Sequence, residues 1–188
     1  MIICGLDEAG RGPLAGPVCA AAVVLPDDFP LELLGDSKKL TEARRERAMR
    51  AIYEGAVAWG VAWASAEEID RINILRASLL AMERAFAQLG CPVDEAVADG
   101  LYAPGLPVPC RAVVKADGSV PAVMAASILA KTARDRMMER YGWIYPQYGY
   151  EKHKGYPTRL HADRIALHGP SPIQRRSFHV PGDQRTLF

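Results

Sequence analysis

The sequence predicts an α/β domain: a mixed five-stranded sheet flanked by helices, with a further helical region at the C-terminal end. Three observations predict it. Five short apolar runs stop at Gly, Pro or acidic residues. Capped or proline-opened stretches of helical periodicity alternate with most of them. The first runs follow one another directly and read as antiparallel strands, whereas the later ones need crossover helices.

Each element has a local reason. Residues 2–7 read as a short buried strand, and residues 18–25 (VCAAAVVL) as a second that Pro26 ends. Thr41 is placed to cap a helix reaching about Tyr53, with Ala48, Met49, Ile52 and Tyr53 on its inner face and Gly55 as its stop. Residues 56–64 (AVAWGVAWA) read as a third strand. Ser65-Ala66-Glu67-Glu68 then has the form of a capping box. Ile69, Ile72, Leu75, Leu79, Met82, Phe86 and Leu89 follow at three- or four-residue intervals. That spacing predicts one amphipathic helix of about six turns, ended by Gly90. Residues 95–99 (EAVAD) are the fourth strand and residues 111–115 (RAVVK) the fifth. Pro121 opens a helix to Tyr141, ended by Gly142, and a last helix runs from about Thr158 to Leu167. With no repeat and no long linker, the chain reads as one domain over residues 1–188, with a helical, basic region at about 143–183 and a tail at 184–188.

Composition narrows the function. The 188 residues are 49% hydrophobic and 24% charged, as in a soluble globular protein. No apolar run approaches the ~18 residues of a membrane span. Acidic residues arrive by position 7, which argues against a secretory leader. Cys4, Cys19, Cys91 and Cys110 show no CxxC spacing and read as reduced thiols of a cytoplasmic protein, not as a zinc site. The net charge of +1 conceals an asymmetry, since residues 131–188 carry 11 Lys and Arg against 5 Asp and Glu. A basic C-terminal third suits a polyanionic partner.

Acids stand at three strand ends: Asp7-Glu8, Asp99 and Asp117. Any one Asp-Gly after a strand is ordinarily a turn. Asp7-Glu8 before Gly10-Arg11-Gly12 is more specific, because a turn does not need two acids. Should these ends converge, the carboxylates repel one another and stay ionised only around cations. Oxygen ligands without Cys or His suit Mg²⁺ or Mn²⁺. Two such ions about 4 Å apart catalyse phosphoryl transfer. With the basic C-terminal third, this points to a metal-dependent nuclease.

Seven segments give the chain a resemblance to bacterial ribonuclease HII, of the type 2 ribonuclease H family. They are GLDEAGRGPLAGPV (5–18), GDSKKLT (35–41), EIDRINILRASLLAMERA (68–85), VADG (97–100), AASILAKTARDRMM (125–138), HKGYPTRLH (153–161) and GPSPIQRRSF (169–178). The resemblance implies a ribonuclease H-like fold and a Mn²⁺- or Mg²⁺-dependent endonuclease. Such an enzyme cuts the RNA strand of RNA/DNA hybrids and cuts 5′ to single ribonucleotides embedded in duplex DNA. It leaves 5′-phosphate and 3′-hydroxyl ends.

Carried over by position, the resemblance makes Asp7, Glu8, Asp99 and Asp117 the catalytic, metal-binding acids. Gly10, Arg11 and Gly12 would meet the 2′-hydroxyl, largely through backbone groups, and Tyr156 would pack against the sugar on the DNA side. Both acids of the Asp7-Glu8 pair reach metal only if the strand is already twisting or ending there, since neighbouring strand residues point to opposite faces. Ser37, Lys38 and Lys39 are read as phosphate contacts. Lys131, Arg134, His153 and Lys154 are candidate backbone contacts or else surface charge, and His153 is alternatively a residue that aids product release or simply packs. Ala116 stands where the family often has glycine. Gln184–Phe188 resembles a sliding-clamp-binding peptide, with Arg185 departing from the usual leucine. The chain is expected to act as a monomer. The alternative, a non-catalytic hybrid-binding module, predicts a missing acid, and all four are present.

Overall fold

A computed structural model describes residues 1–35, 37 and 39–182. The elements are β1 (Ile3–Ala9), β2 (Val18–Val24), α1 (Glu42–Gly55), β3 (Ala58–Ala64), α2 (Ala66–Ile72), α3 (Ile74–Phe86), β4 (Glu95–Asp99), β5 (Cys110–Val113), α4 (Pro121–Ile144), α5 (Tyr150–His153) and α6 (Arg159–His168). Short 3-10 turns lie at Leu31–Leu33 and Ala116–Gly118. The sheet order is β3-β2-β1-β4-β5. β1 pairs antiparallel with β2 and parallel with β4, and β5 is parallel to β4. The expected mixed five-stranded sheet is the sheet observed.

Both faces of the sheet are covered, so β2 is buried throughout. Its residues alternate between two cores. Val18, Ala20, Ala22 and Val24 pack with Ala77, Ala81, Met82 and Ala85 of α3. Cys19, Ala21 and Val23 pack with Ala48, Met49 and Ile52 of α1 and with Ile128 and Leu129 of α4. Gly5 lets α4 rest directly on β1, since a Cβ there would lie 2.1 Å from the Ala122 carbonyl carbon. No helix is long and apolar enough to cross a membrane among the described residues.

Two caps form as read: Thr41 accepts from Arg44 N–H, and Ser65 and Glu68 complete the capping box. Thr158, at the expected start of the last helix, also caps it by accepting from His161 N–H. Other boundaries differ. The single long helix after Ser65 is two helices, broken at Asn73 with φ +72°. Asn tolerates positive φ and its side chain accepts from Arg76 N–H, so it ends α2 and caps α3 at once. The apolar period runs on across the break and conceals it. Gly142 does not stop α4, which continues to Ile144. A Cβ at Gly142 would lie 2.6 Å from Glu151 Oε2, so the glycine gives α5 room to pack. β1 extends through both acids to Ala9, and β5 ends at Val113 because Lys115 turns left-handed at φ +60°.

The C-terminal region packs around aromatic rings. His153 and His161 stack at 4.3 Å, with Tyr150 edge-on to both. Of the readings open for His153, the structure places it as a buried packing residue and not at the surface where a nucleic acid would lie. Gly155 N–H donates to its Nδ1, so its Nε2–H donates to the Tyr148 carbonyl. His161 donates from Nδ1 to the Tyr156 carbonyl, and its Nε2 has no partner among the described residues.

Burial pushes both rings down, His161 to about 4. An unfolded His161 takes up its proton near pH 6.5, well before the folded one does. Stability present above that pH is therefore lost as pH falls from about 6.5 towards 4. Thermal melts at pH 7 and 4.5 should show this loss, up to about 3 kcal/mol. His161→Phe should flatten the slope, and an equally steep loss in that variant would rule the ring out as its source.

Candidate active site

Strand pairing gathers the acids. Leu6 of β1 lies opposite Ala98 of β4, so Asp7 and Asp99 are neighbours across the parallel pair. Asp117 follows β5, on the 3-10 turn after Lys115. The Ala116 N–H donates to Asp99 Oδ1 at 2.7 Å and ties that turn to β4. Carboxylate oxygens of Asp7, Asp99 and Asp117 lie within 4.8 Å of one another.

The pair on β1 obeys the pleat. Because the strand does not end at the acids, Asp7 and Glu8 face opposite sides of the sheet. Asp7 is opposite Ala21, whose core includes α4, and is 5% exposed. Its Oδ1 accepts the Glu8 N–H at 2.8 Å. Glu8 is opposite Ala20, on the α3 side. It lines a cavity of about 180 Å³ with Arg11, Leu79, Met82, Asp99 and Tyr102. Glu8 Oε1 is 3.6 Å from Arg11 Nη1, and its Oε2 is buried without a partner among the described residues. Glu8 thus flanks the cluster from the other face of the strand.

The site's electrostatics call for a cation. Burial raises the Asp7 carboxyl well above the ordinary carboxylate range, and the charges of Glu8 and Asp99 add to it. Burial also raises Glu8, with Arg11 opposing and Asp99 reinforcing. Three convergent carboxylates, one of them enclosed, and an orphaned buried Glu8 oxygen fit a hard divalent ion.

The loop after β1 forms one wall. Gly10 has φ +97°, and a Cβ there would fall 1.9 Å from Arg134 Nε, so only glycine fits. Gly12 is different: its Cβ would meet only Tyr156, at 3.8 Å. Arg11 and Gly12 are exposed, and Tyr156 is 39% exposed beside them.

Two expected phosphate contacts are corrected. Arg134 is 1% exposed, and its guanidinium donates to the carbonyls of Pro17, Ala15 and Lys154. It holds the loop and cannot also reach a phosphate. Ser37 turns inward, 2.8 Å from Ser127 Oγ, and the Ser127 hydroxyl hydrogen-bonds Asp7. Lys131 bonds Asp135 at 2.7 Å, and Lys154 bonds Glu139 at 2.9 Å. Both remain partly exposed. Lys39 is exposed, whereas Lys38 and Gln184–Phe188 lie outside the described residues.

Arg175 has no role in the sequence reading, although it stands in GPSPIQRRSF. It is fully buried and donates to the carbonyls of Gly10 (2.6 Å), Arg11 (3.0 Å) and Gly16 (2.9 Å). Burial pulls its guanidinium down to about 9, with Arg134 nearby adding to the effect, and it stays protonated at neutral pH.

The sequence model of the family described as Ribonuclease HII matches residues 4–180. A ribonuclease HII of Treponema denticola is 55% identical over 195 aligned residues, covering 95% of this chain and 98% of its own length. Among solved structures, the ribonuclease H2 of Pyrococcus horikoshii OT3 superposes with a TM-score of 0.79 at 26% identity, covering 96% of this chain and 95% of that one. The ribonuclease HII of Archaeoglobus fulgidus, solved as a complex with PCNA, gives 0.73 at 26% identity, covering 100% of this chain and 98% of that one.

Proposed function

The chain belongs to the ribonuclease HII family and is a nuclease of ribonuclease H type, and from that premise we propose how its residues work. It hydrolyses the RNA strand of RNA/DNA hybrids and cuts duplex DNA 5′ to an embedded ribonucleotide, as a monomer, leaving 5′-phosphate and 3′-hydroxyl ends. The observation that carries this reading is the convergence of Asp7, Asp99 and Asp117 oxygens within 4.8 Å.

Asp7, Asp99 and Asp117 hold the divalent ions, and Glu8 joins them from the opposite face of β1. Two Mn²⁺ or Mg²⁺ ions would activate water and stabilise the leaving 3′-oxygen. Asp7, the most buried of the set, anchors it. Gly10, Arg11 and Gly12 read the 2′-hydroxyl, which alone separates RNA from DNA at a given nucleotide. Tyr156 supports the neighbouring deoxyribose. Lys39, Lys131 and Lys154 neutralise backbone phosphates, and Lys38 is read with them from sequence alone. Gln184–Phe188 is read as a clamp-docking peptide; a protein of similar fold has been solved with PCNA.

One assay tests the whole reading. A duplex holding a single ribonucleotide is incubated with Mg²⁺, with Mn²⁺ or with EDTA, and the cut is mapped. Cutting 5′ to the ribonucleotide, in metal only, is the expected result. Gly12→Ala belongs in the same assay. Its methyl meets nothing closer than Tyr156 at 3.8 Å, so the fold should tolerate it. It occupies the gap where the sugar would approach, so cleavage should fall about 100-fold with little change in Tm. Metal-independent cutting, or full activity in the alanine variant, would sink the respective half of the proposal.

A further inference from the structure

Arg175 lies 165 residues from Gly10 in sequence and donates three hydrogen bonds to the loop that carries Gly10-Arg11-Gly12. Among the described residues it forms no ion pair, so its buried charge is directed at carbonyl oxygens alone. The Phe178 ring lies under the guanidinium, 5.0 Å from Arg175 Cζ, and fixes its plane.

The consequence follows from peptide geometry. No peptide bond here is cis. In a planar trans peptide the C=O and the following N–H point in opposite directions. Drawing the Gly10 carbonyl inward therefore turns the Arg11 N–H outward, and drawing the Arg11 carbonyl inward turns the Gly12 N–H outward. Among the described residues, no acceptor takes the N–H of Arg11 or Gly12. Both donors are aimed away from the protein's own carbonyls, beside Tyr156. The fork of Arg175 is planar and rigid, and a lysine ammonium cannot hold two successive carbonyls in that way.

We propose that Arg175 is a specificity-determining positioning residue: it presets the Arg11 and Gly12 N–H groups for the 2′-hydroxyl without touching substrate. This rests on the reading of Gly10-Arg11-Gly12 as the hydroxyl sensor. Arg134 holds the adjoining part of the loop at Ala15 and Pro17, and so supports the sensor's base without orienting its donors.

The test compares two constants for the full chain. One is KM for a duplex with a single ribonucleotide. The other is Ki for an all-DNA duplex of the same sequence, used as a competitor. The ratio of Ki to KM reports how much the 2′-hydroxyl contributes. In Arg175→Lys the KM should rise about tenfold, the loss of one or two neutral N–H···O hydrogen bonds to the hydroxyl, with Ki unchanged. A merely structural role would lower Tm and the active fraction but leave the ratio alone, and that result would overturn the proposal. If Arg175→Lys does not fold, Phe178→Leu loosens the guanidinium without removing its charge and should lower the ratio about threefold; an unchanged ratio there would overturn the proposal equally. Equal constants in the wild type would instead remove the sensor itself, a failure separate from that of Arg175.

Discussion

Asp7→Asn should abolish cleavage while giving a protein at least as stable as the wild type without metal. Asp7 is on the central strand β1, beside Glu8 in sequence and Asp99 across the parallel pair, with its carboxylate near that of Asp117. Losing its charge removes the shared ligand of the cluster, and a loss of about 1000-fold or more is expected. Stability moves the other way. The folded Asp7 carboxyl is raised above its unfolded value by burial and by neighbouring negative charge. A raised acid is favourable to the fold while protonated and unfavourable once pH rises through its folded value. Above the ordinary carboxylate range, in EDTA, the upward shift itself costs stability relative to a side chain that does not titrate, and the neutral amide removes that cost. Melts in EDTA and in Mn²⁺ read this directly. Metal should raise the wild-type Tm and leave the variant nearly unmoved. Near wild-type cleavage, or an equal metal-induced shift in both proteins, would contradict the assignment.

Arg134→Met should destabilise the protein by about 3–5 kcal/mol. Methionine fills much of the space but donates nothing. The carbonyls of Ala15, Pro17 and Lys154 would each lose a charge-assisted donor in the interior, at about 1–3 kcal/mol apiece before relaxation. A buried ion pair can be replaced by apolar groups on both sides with little loss. Here one side is main chain and cannot be replaced. Loop 10–17 would also lose the surface on which Gly10 sits, and Tyr156 the guanidinium 5.8 Å from its ring. Urea unfolding measures the loss, which should be nearly independent of salt because no carboxylate partner is involved. A change below about 1 kcal/mol would show that water or relaxation satisfies those carbonyls.

Much of this protein is legible because its signals are local. Ser65 and Glu68 satisfy each other's backbone within one helical turn, and the acids of EAVAD and LDEA stand where their strands deliver them. The pairing of Asp7-Glu8 with GRG, and the likeness of seven segments to one family, were available before any coordinates. The continuous apolar run of β2 was equally plain, and its alternate residues became two cores, one on each face.

Burial of charge was not legible. Lys131, Arg134 and Arg175 are all cations in a basic third of the chain, and in sequence they look alike. Arg134 and Arg175 are interior because carbonyls more than 115 residues away meet them there. Ser37 faces Ser127 for the same kind of reason, across 90 residues. Asn73 broke a helix whose apolar rhythm continued, because the side chain's bond to Arg76 N–H outweighed the periodicity. The sequence by itself determined the family, the order of the strands and the acids that stand at their ends, since those depend on residue type and near neighbours. Only the tertiary structure decided which cations hold the loop and which remain at the surface. An unpaired backbone carbonyl recruits whichever donor the fold brings to it, however distant in the chain.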